Sequence, residues 1–168
     1  MTPNQIYDIF EGESDENRSR LLNKKFVVLG AGKTGIDSVV YLQRAMNIDP
    51  VNIAWVISRD VWMVNSSSKA DPNAWARYLA NCGNEADAAA LALEASGVLV
   101  RLDKRFLPSR FRFPVIPPDE LQLARNVTTV IRRGRVTAIR RRSSSICVGF
   151  GADQPSWEAF APIESCVF

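Results

Sequence analysis

Three glycines spaced as G-x-G-x-x-G directly follow a short apolar run, and a helical pattern follows the glycines. The run is Lys25–Leu29, with the sequence KFVVL, and its composition is typical of a buried parallel strand. The glycines are Gly30, Gly32 and Gly35, after which apolar residues recur at helical spacing. A second apolar run at 51–57 predicts a second strand. The whole stretch has the order and length of one βαβ unit.

Each glycine of this turn has a physical role in a βαβ unit that binds a dinucleotide. Gly30 permits the tight turn out of the strand, Gly32 lets the backbone approach a pyrophosphate, and Gly35 lets the helix pack closely against the strand. The phosphates lie at the helix N-terminus, where unpaired N–H groups and the positive end of the dipole attract anions. A glycine-rich turn without a ligand is the alternative. The predicted phosphate-binding residues are Gly30, Ala31, Gly32, Lys33, Thr34 and Gly35.

The residue that contacts the adenosine ribose is expected at the end of the second strand, about 20 residues past the turn. An acid there would select NAD(H), but this strand ends in Ser58 and Arg59. Ser58 can hydrogen-bond a 2′-phosphate and Arg59 can pair with it, so we predict NADP(H). Asp60 leaves NAD(H) open, because a strand two residues longer would place that acid at the ribose. Trp62 follows and is a candidate for lining the cofactor groove.

The rest of the chain predicts an α/β fold, namely a Rossmann-like three-layer parallel sheet with an additional antiparallel hairpin. Strand-like runs for the parallel sheet lie near 26–29, 53–57 and 98–102. Helical patterns expected to cover that sheet lie near 34–46, 72–81 and 85–96. The predicted hairpin joins runs 127–133 and 135–142 at Gly134. We expect 1–23 to be a polar lead-in or linker and 24–168 to form one NAD(P)-binding domain.

Several classes of function are disfavoured by composition. The chain has no histidine, which removes the commonest general base and metal ligand. Its three cysteines are widely separated, so we predict no metal site and a reducing, cytoplasmic setting. The net charge of +3 makes no case for nucleic acid, and the apolar stretches fall short of the roughly 18 residues needed to span a membrane. The sequence identifies no catalytic residue.

Two further patterns resemble functional motifs but are interpreted without a function. Gly32-Lys33-Thr34 looks like the end of a Walker A loop, but the first glycine of that motif would fall at Val27, inside the strand. We therefore expect no ATPase or GTPase. The arginines from 132 to 142 alternate in direction along the predicted hairpin and lack stacking aromatics. They are predicted to be a solvated strand edge and not a nucleic-acid surface.

The stretch from Val27 to Asp37, VVLGAGKTGID, followed by WVISR ending at Arg59, resembles the NADP-binding lobe of flavin-containing monooxygenase-like FAD/NAD(P)-dependent oxidoreductases. The region from 121 to 139 is also similar to bacterial and fungal proteins of that group, and the resemblance covers roughly 24–142. It implies that the three glycines hold the pyrophosphate, that Lys33 and Thr34 offer donors, and that Arg59 takes the 2′-phosphate. Asp37 would lie in the first helical turn.

The chain departs from that group in having one dinucleotide fingerprint where such enzymes carry two. The first of the two holds FAD, and residues 1–23 are too short for it. The resemblance therefore implies an NADP(H)-binding lobe of a flavin-dependent oxidoreductase or monooxygenase, incomplete for catalysis without an FAD lobe or second subunit. The alternative is a stand-alone, non-catalytic nucleotide-binding or protein-interaction module.

Overall fold

The computed structural model describes residues 24–142, 145–151, 156–160 and 166–167, with the isolated positions 12, 19, 21 and 22. The chain divides into two compact units. The first runs up to Arg59 and resumes at Leu123, and the second is Asp60–Gln122. The second unit is thus an insertion within the stretch that the sequence predicts to be one domain.

Strands and helices alternate along the first half of the chain, and strands dominate the end. The strands are β1 (Lys25–Leu29), β2 (Ile53–Val56), β3 (Met63–Asn65), β4 (Leu99–Val100), β5 (Val115–Ile116), β6 (Thr129–Ile131), β7 (Val136–Arg142), β8 (Ser145–Phe150), β9 (Ser156–Phe160) and β10 (Cys166–Val167). The helices are α1 (Lys33–Arg44), α2 (Pro72–Asn81), α3 (Ala86–Ala95) and α4 (Pro118–Asn126). The chain is therefore mixed α/β.

A parallel sheet forms the centre of the first unit, with the strand order β10-β1-β2-β6. Each neighbouring pair is parallel, and the register places Val28 beside Trp55 and Val56 beside Ile131. Phe26, Val28 and Trp55 are all buried. A strand buried on both faces reads as a continuous apolar run, which explains why β1 and β2 show no polar alternation.

A second, antiparallel sheet of the first unit, β7-β8-β9, packs against this parallel sheet. Ile146, Val148 and Phe150 of β8 form one buried cluster with Val27 and Val56 of the parallel sheet. Helix α1 packs against β1. Its buried residues recur at helical spacing, as the sequence predicts.

The second unit has its own sheet and core. Strand β3 pairs with β4 in the antiparallel and with β5 in the parallel direction. Helix α2 begins as predicted, because the Asp71 side chain accepts a hydrogen bond from the Asn73 N–H at 2.9 Å and Pro72 follows it. Helices α2 and α3 bury Trp75, Leu79 and other side chains together with β4. The unit therefore buries its apolar faces internally.

Two sequence predictions about these strands are wrong. The run near 98–102 was expected in the parallel sheet, but β4 pairs with β3, and the helices expected to cover the parallel sheet at 72–81 and 85–96 pack in the second unit. The hairpin expected across Gly134 is also absent from the described residues. Gly134 does turn the chain, with φ of 81°, but β6 pairs with β2, so β7 forms its hairpin with β8. A short apolar run does not reveal its partner, because its pattern fits any buried position.

Arg101 ties together a helix and the loop that follows β4 in the second unit. Its guanidinium donates to both carboxylate oxygens of Glu94 in α3, at 2.6 to 3.1 Å, and to the carbonyls of Lys104 and Phe106 at 3.2 and 3.4 Å. The hydrogen bond to Glu94 raises the pKa of Arg101 above its usual value. The two side chains are only 11% and 13% exposed, so the pair is little screened by solvent.

Replacing Glu94 by glutamine should destabilise the protein by about 1.5–3 kcal/mol, because it removes the negative charge that is hydrogen-bonded to a largely buried guanidinium. The matched control is Arg105→Gln, which breaks the pair with Asp103. Arg105 is 83% exposed, so that loss should be much smaller than the loss at Glu94. Urea unfolding of both variants measures the difference. Equal losses would show that the buried Glu94–Arg101 pair contributes no more to the free energy of unfolding than the exposed pair.

Candidate functional site

The segment from Gly30 to Gly35 forms the turn between β1 and α1, as predicted. Gly30 has a φ of 106°, which L side chains rarely adopt. Its N–H donates to the Val56 carbonyl at 2.8 Å, and its own carbonyl accepts a hydrogen bond from the indole Nε1 of Trp55, also at 2.8 Å. Both bonds come from β2. Gly30 is therefore held to the neighbouring strand through both its N–H and its carbonyl group.

Gly35 is required by packing. A Cβ at this position would lie 2.2 Å from the Gly30 carbonyl oxygen, closer than real Cβ atoms approach any atom. Because that oxygen accepts a hydrogen bond from the Trp55 indole, moving it aside would weaken that bond. Gly35 thus allows the first turn of α1 to lie against the end of β1, which is the packing role predicted for the third glycine.

Gly32 differs from the other two glycines. Its φ of −77° and ψ of 176° are extended values that any residue adopts, and a Cβ there would meet nothing within 4 Å among the described residues. Gly32 is the N-cap of α1, and no side chain of the described part of the chain caps that end. The first N–H groups of a helix have no intrahelical acceptor. The N–H groups at the start of α1 are of this kind, and no described side chain caps them.

Lys33 and Thr34 are exposed at the start of α1. The Lys33 ammonium is paired with the Asp37 carboxylate, four residues on, and the Thr34 carbonyl accepts from the Ser38 hydroxyl at 2.8 Å. The prediction that Asp37 lies in the first helical turn is wrong, because α1 begins at Lys33 and Asp37 falls in the second turn. The pair balances the lysine charge, so the backbone N–H groups are the remaining positive feature at this end of α1.

Ser58 and Arg59 lie at the carboxyl end of β2 and are both exposed. The Ile57 N–H donates to the Ile131 carbonyl at 2.9 Å, so the pairing of β2 with β6 ends at Ile57. Since β1 and β2 are parallel, Ser58 and Arg59 lie at the same edge of the sheet as the glycine turn. The strand does not extend to Asp60.

Trp62 does not line a groove at this edge. It is fully buried in the core of the second unit, where the Arg101 guanidinium lies 5.4 Å from its ring centre. Sequence reasoning instead missed Trp55, which it treated only as a strand residue. An indole in mid-strand, one strand away from the glycine turn, is the signal that could have indicated the contact, because a buried Trp N–H needs an acceptor.

Three other observations bear on the kind and place of a site. A cavity of about 220 Å³ lies in the first unit between Lys25, Ile53 and Thr129, the first residues of their strands, and β9. This is the amino edge of the parallel sheet, opposite the glycine turn. Among the described residues there is no group of three or more His, Cys, Asp or Glu side chains placed to hold a metal ion. No helix in the described ranges is long and apolar enough to cross a membrane.

The comparisons with known proteins give no function. The sequence matches no protein-family model, and no solved structure matches it. It is similar to uncharacterized proteins of Mycobacterium tuberculosis and Mycobacterium bovis, with 29% identity over 125 residues. The match covers 68% of this chain and 23% of each relative. The chain thus corresponds to less than a quarter of the length of these relatives.

The second and third glycines of the turn, Gly32 and Gly35, should respond differently to substitution by alanine. Gly35→Ala should lower the free energy of unfolding by about 1–3 kcal/mol, because the new methyl group overlaps the Gly30 carbonyl. Gly32→Ala should change it by less than about 1 kcal/mol, since the small loss at the N-cap is offset by the reduced entropy of the unfolded chain. Thermal and urea unfolding test this. Similar losses for both variants would contradict the packing role of Gly35.

Proposed function

We propose that this chain binds the phosphates of NADP(H) at the Gly30–Gly35 turn and serves as the dinucleotide-binding lobe of a flavin-dependent oxidoreductase. The observation that carries the proposal is Gly32. Gly30 is explained by its φ and Gly35 by packing, whereas no described residue requires a glycine at position 32. A pyrophosphate against the free N–H groups of α1 would require one, because a side chain there would block its approach.

The strand order supports a Rossmann-like assignment of the first unit. Counted along the chain, the parallel strands are β1, β2, β6 and β10, and their spatial order reads third, second, first, fourth. These are the first four strands of the order 3-2-1-4-5-6 of dinucleotide-binding folds. In such sheets ligands bind outside the carboxyl ends of the strands, where the order reverses. The reversal falls between β1 and β10, and the glycine turn directly follows β1.

The residues at this edge fit a dinucleotide. The N–H groups at the start of α1 would hold the pyrophosphate, the Ser58 hydroxyl would donate to the 2′-phosphate, and Arg59 would pair with it. The cofactors, once bound, supply hydride transfer between nicotinamide and flavin. The chain's own contribution is to bind and orient NADP(H). The flavin part of the proposal rests on the resemblance of the turn and of WVISR to flavin-containing monooxygenase-like enzymes.

The second candidate is a non-catalytic nucleotide-binding or protein-interaction module. The observation in its favour is the loop before β5, where Phe106 is 41% and Phe111 38% exposed next to Arg105 and Arg112. Such a surface suits contact with another protein, which an FAD lobe would also provide. Purification of the chain together with its partners separates the two, because the chain itself carries one dinucleotide fingerprint and is not expected to hold FAD. A flavin-containing partner favours the oxidoreductase lobe, and a partner without flavin favours the interaction module.

Gly32→Ala is the sharpest test of phosphate binding, because the fold tolerates the methyl group and the pyrophosphate does not. Affinity for NADPH and NADH should both fall by at least about tenfold, the loss expected when a charge-assisted hydrogen bond is broken. Calorimetric titration gives the two affinities, and the unfolding curve of the same sample controls for folding. Unchanged binding of both cofactors would remove the turn as the phosphate site.

Arg59→Ala should separate the two cofactors. The variant should lose about ten- to a hundredfold in affinity for NADPH, because a guanidinium–phosphate pair is worth roughly 1.5–3 kcal/mol. Affinity for NADH should stay within about twofold, since NADH has no 2′-phosphate. Equal losses would show that Arg59 does not contact that group. A wild-type preference for NADH would contradict the NADP(H) assignment.

A further inference from the structure

The structure brings a second arginine to the edge where Arg59 lies. Strand β6 is the neighbour of β2, and Arg132 is the first residue after it. The Ile57 N–H donates to the Ile131 carbonyl at 2.9 Å, so the pairing of the two strands continues to these residues and both strands end at the same level. Neighbouring strands are about 4.8 Å apart, so Arg132 starts within side-chain reach of Ser58 and Arg59.

Strand alternation separates Arg132 from the next arginine. Val56 and Ile131 belong to the cluster that packs against the antiparallel sheet. Arg133 falls on that same side, since its Nη1 lies 3.2 Å from a carboxylate oxygen of Glu158 in β9. Arg132, one residue earlier, falls on the opposite side of the sheet.

That opposite side is the one from which the glycine turn is held. Trp55 is paired in register with Val130, two residues before Arg132, and so lies on the face assigned to Arg132. Its indole donates to the Gly30 carbonyl at the end of β1. Arg132 therefore lies on the face of the sheet that contacts the proposed phosphate-binding turn, and Arg133 lies on the other face.

We propose that Arg132 is a second specificity-determining residue, which binds the 2′-phosphate of NADP(H) together with Arg59. A phosphate monoester carries about 1.5 to 2 negative charges at neutral pH and three acceptor oxygens. One arginine balances a single charge and occupies two oxygens, so a second guanidinium from the neighbouring strand completes the site. The inference rests on the proposed function, and it adds to it a residue from a part of the sequence interpreted as a solvated edge.

The test uses the full chain and two small probes that isolate the adenosine half of the cofactor, 2′,5′-ADP and 5′-AMP. Arg132→Gln should weaken binding of 2′,5′-ADP by about tenfold or more and change that of 5′-AMP by less than about twofold. Arg133→Gln is the matched control, because its side chain faces β9, and it should leave both affinities within about twofold. The double variant with Arg59→Gln should lose less than the product of the two single losses, since both arginines contact one group.

The outcomes separate this inference from the function on which it rests. If wild-type protein binds 2′,5′-ADP and Arg132→Gln binds it equally well, Arg132 has no part in the site and the proposed function stands. Equal losses in Arg132→Gln and Arg133→Gln would also overturn the inference, because they would indicate a general effect of positive charge. If wild-type protein binds neither NADPH nor NADH, both proposals fail.

Discussion

The geometry of the glycine turn depends on the carbonyl group of Gly30. This carbonyl accepts the indole N–H of Trp55 from the adjacent strand, and it occupies the space that a side chain at position 35 would need. One backbone oxygen thus fixes the end of β1, the face of β2 and the start of α1 relative to one another. Two of the three glycines follow from this contact and from the backbone turn. The third, Gly32, is required by neither.

Much of the first βαβ unit could be predicted from sequence, because its signals are local. The apolar runs of β1 and β2, the glycines between them and the helical period of α1 each describe a few consecutive residues. The N-cap of α2 at Asp71 could be predicted in the same way. Such features depend on backbone conformation and on side chains within one turn, which the sequence states directly.

Strand pairing could not be predicted in the same way. The residues of β6 and β7 lie on either side of a glycine, as the two strands of a hairpin would. Strand β6 instead pairs with β2, from which the whole second unit separates it in the sequence. The choice depends on which buried edge offers free backbone groups, a property of the assembled sheet. The pairing of Arg133 with Glu158 and the contact of Trp55 with Gly30 are hidden from sequence for the same reason.

The insertion of the second unit between β2 and β6 has a consequence for how the chain folds. The β2–β6 pairing joins residues on either side of the segment 60–122, so forming it early would mean closing a long loop at a large entropic cost. The contacts of the second unit, such as α3 with β4, span far fewer residues. Once they form, the inserted segment is compact and the effective loop is short. We expect the inserted unit to assemble first and thereby to speed closure of the sheet around it.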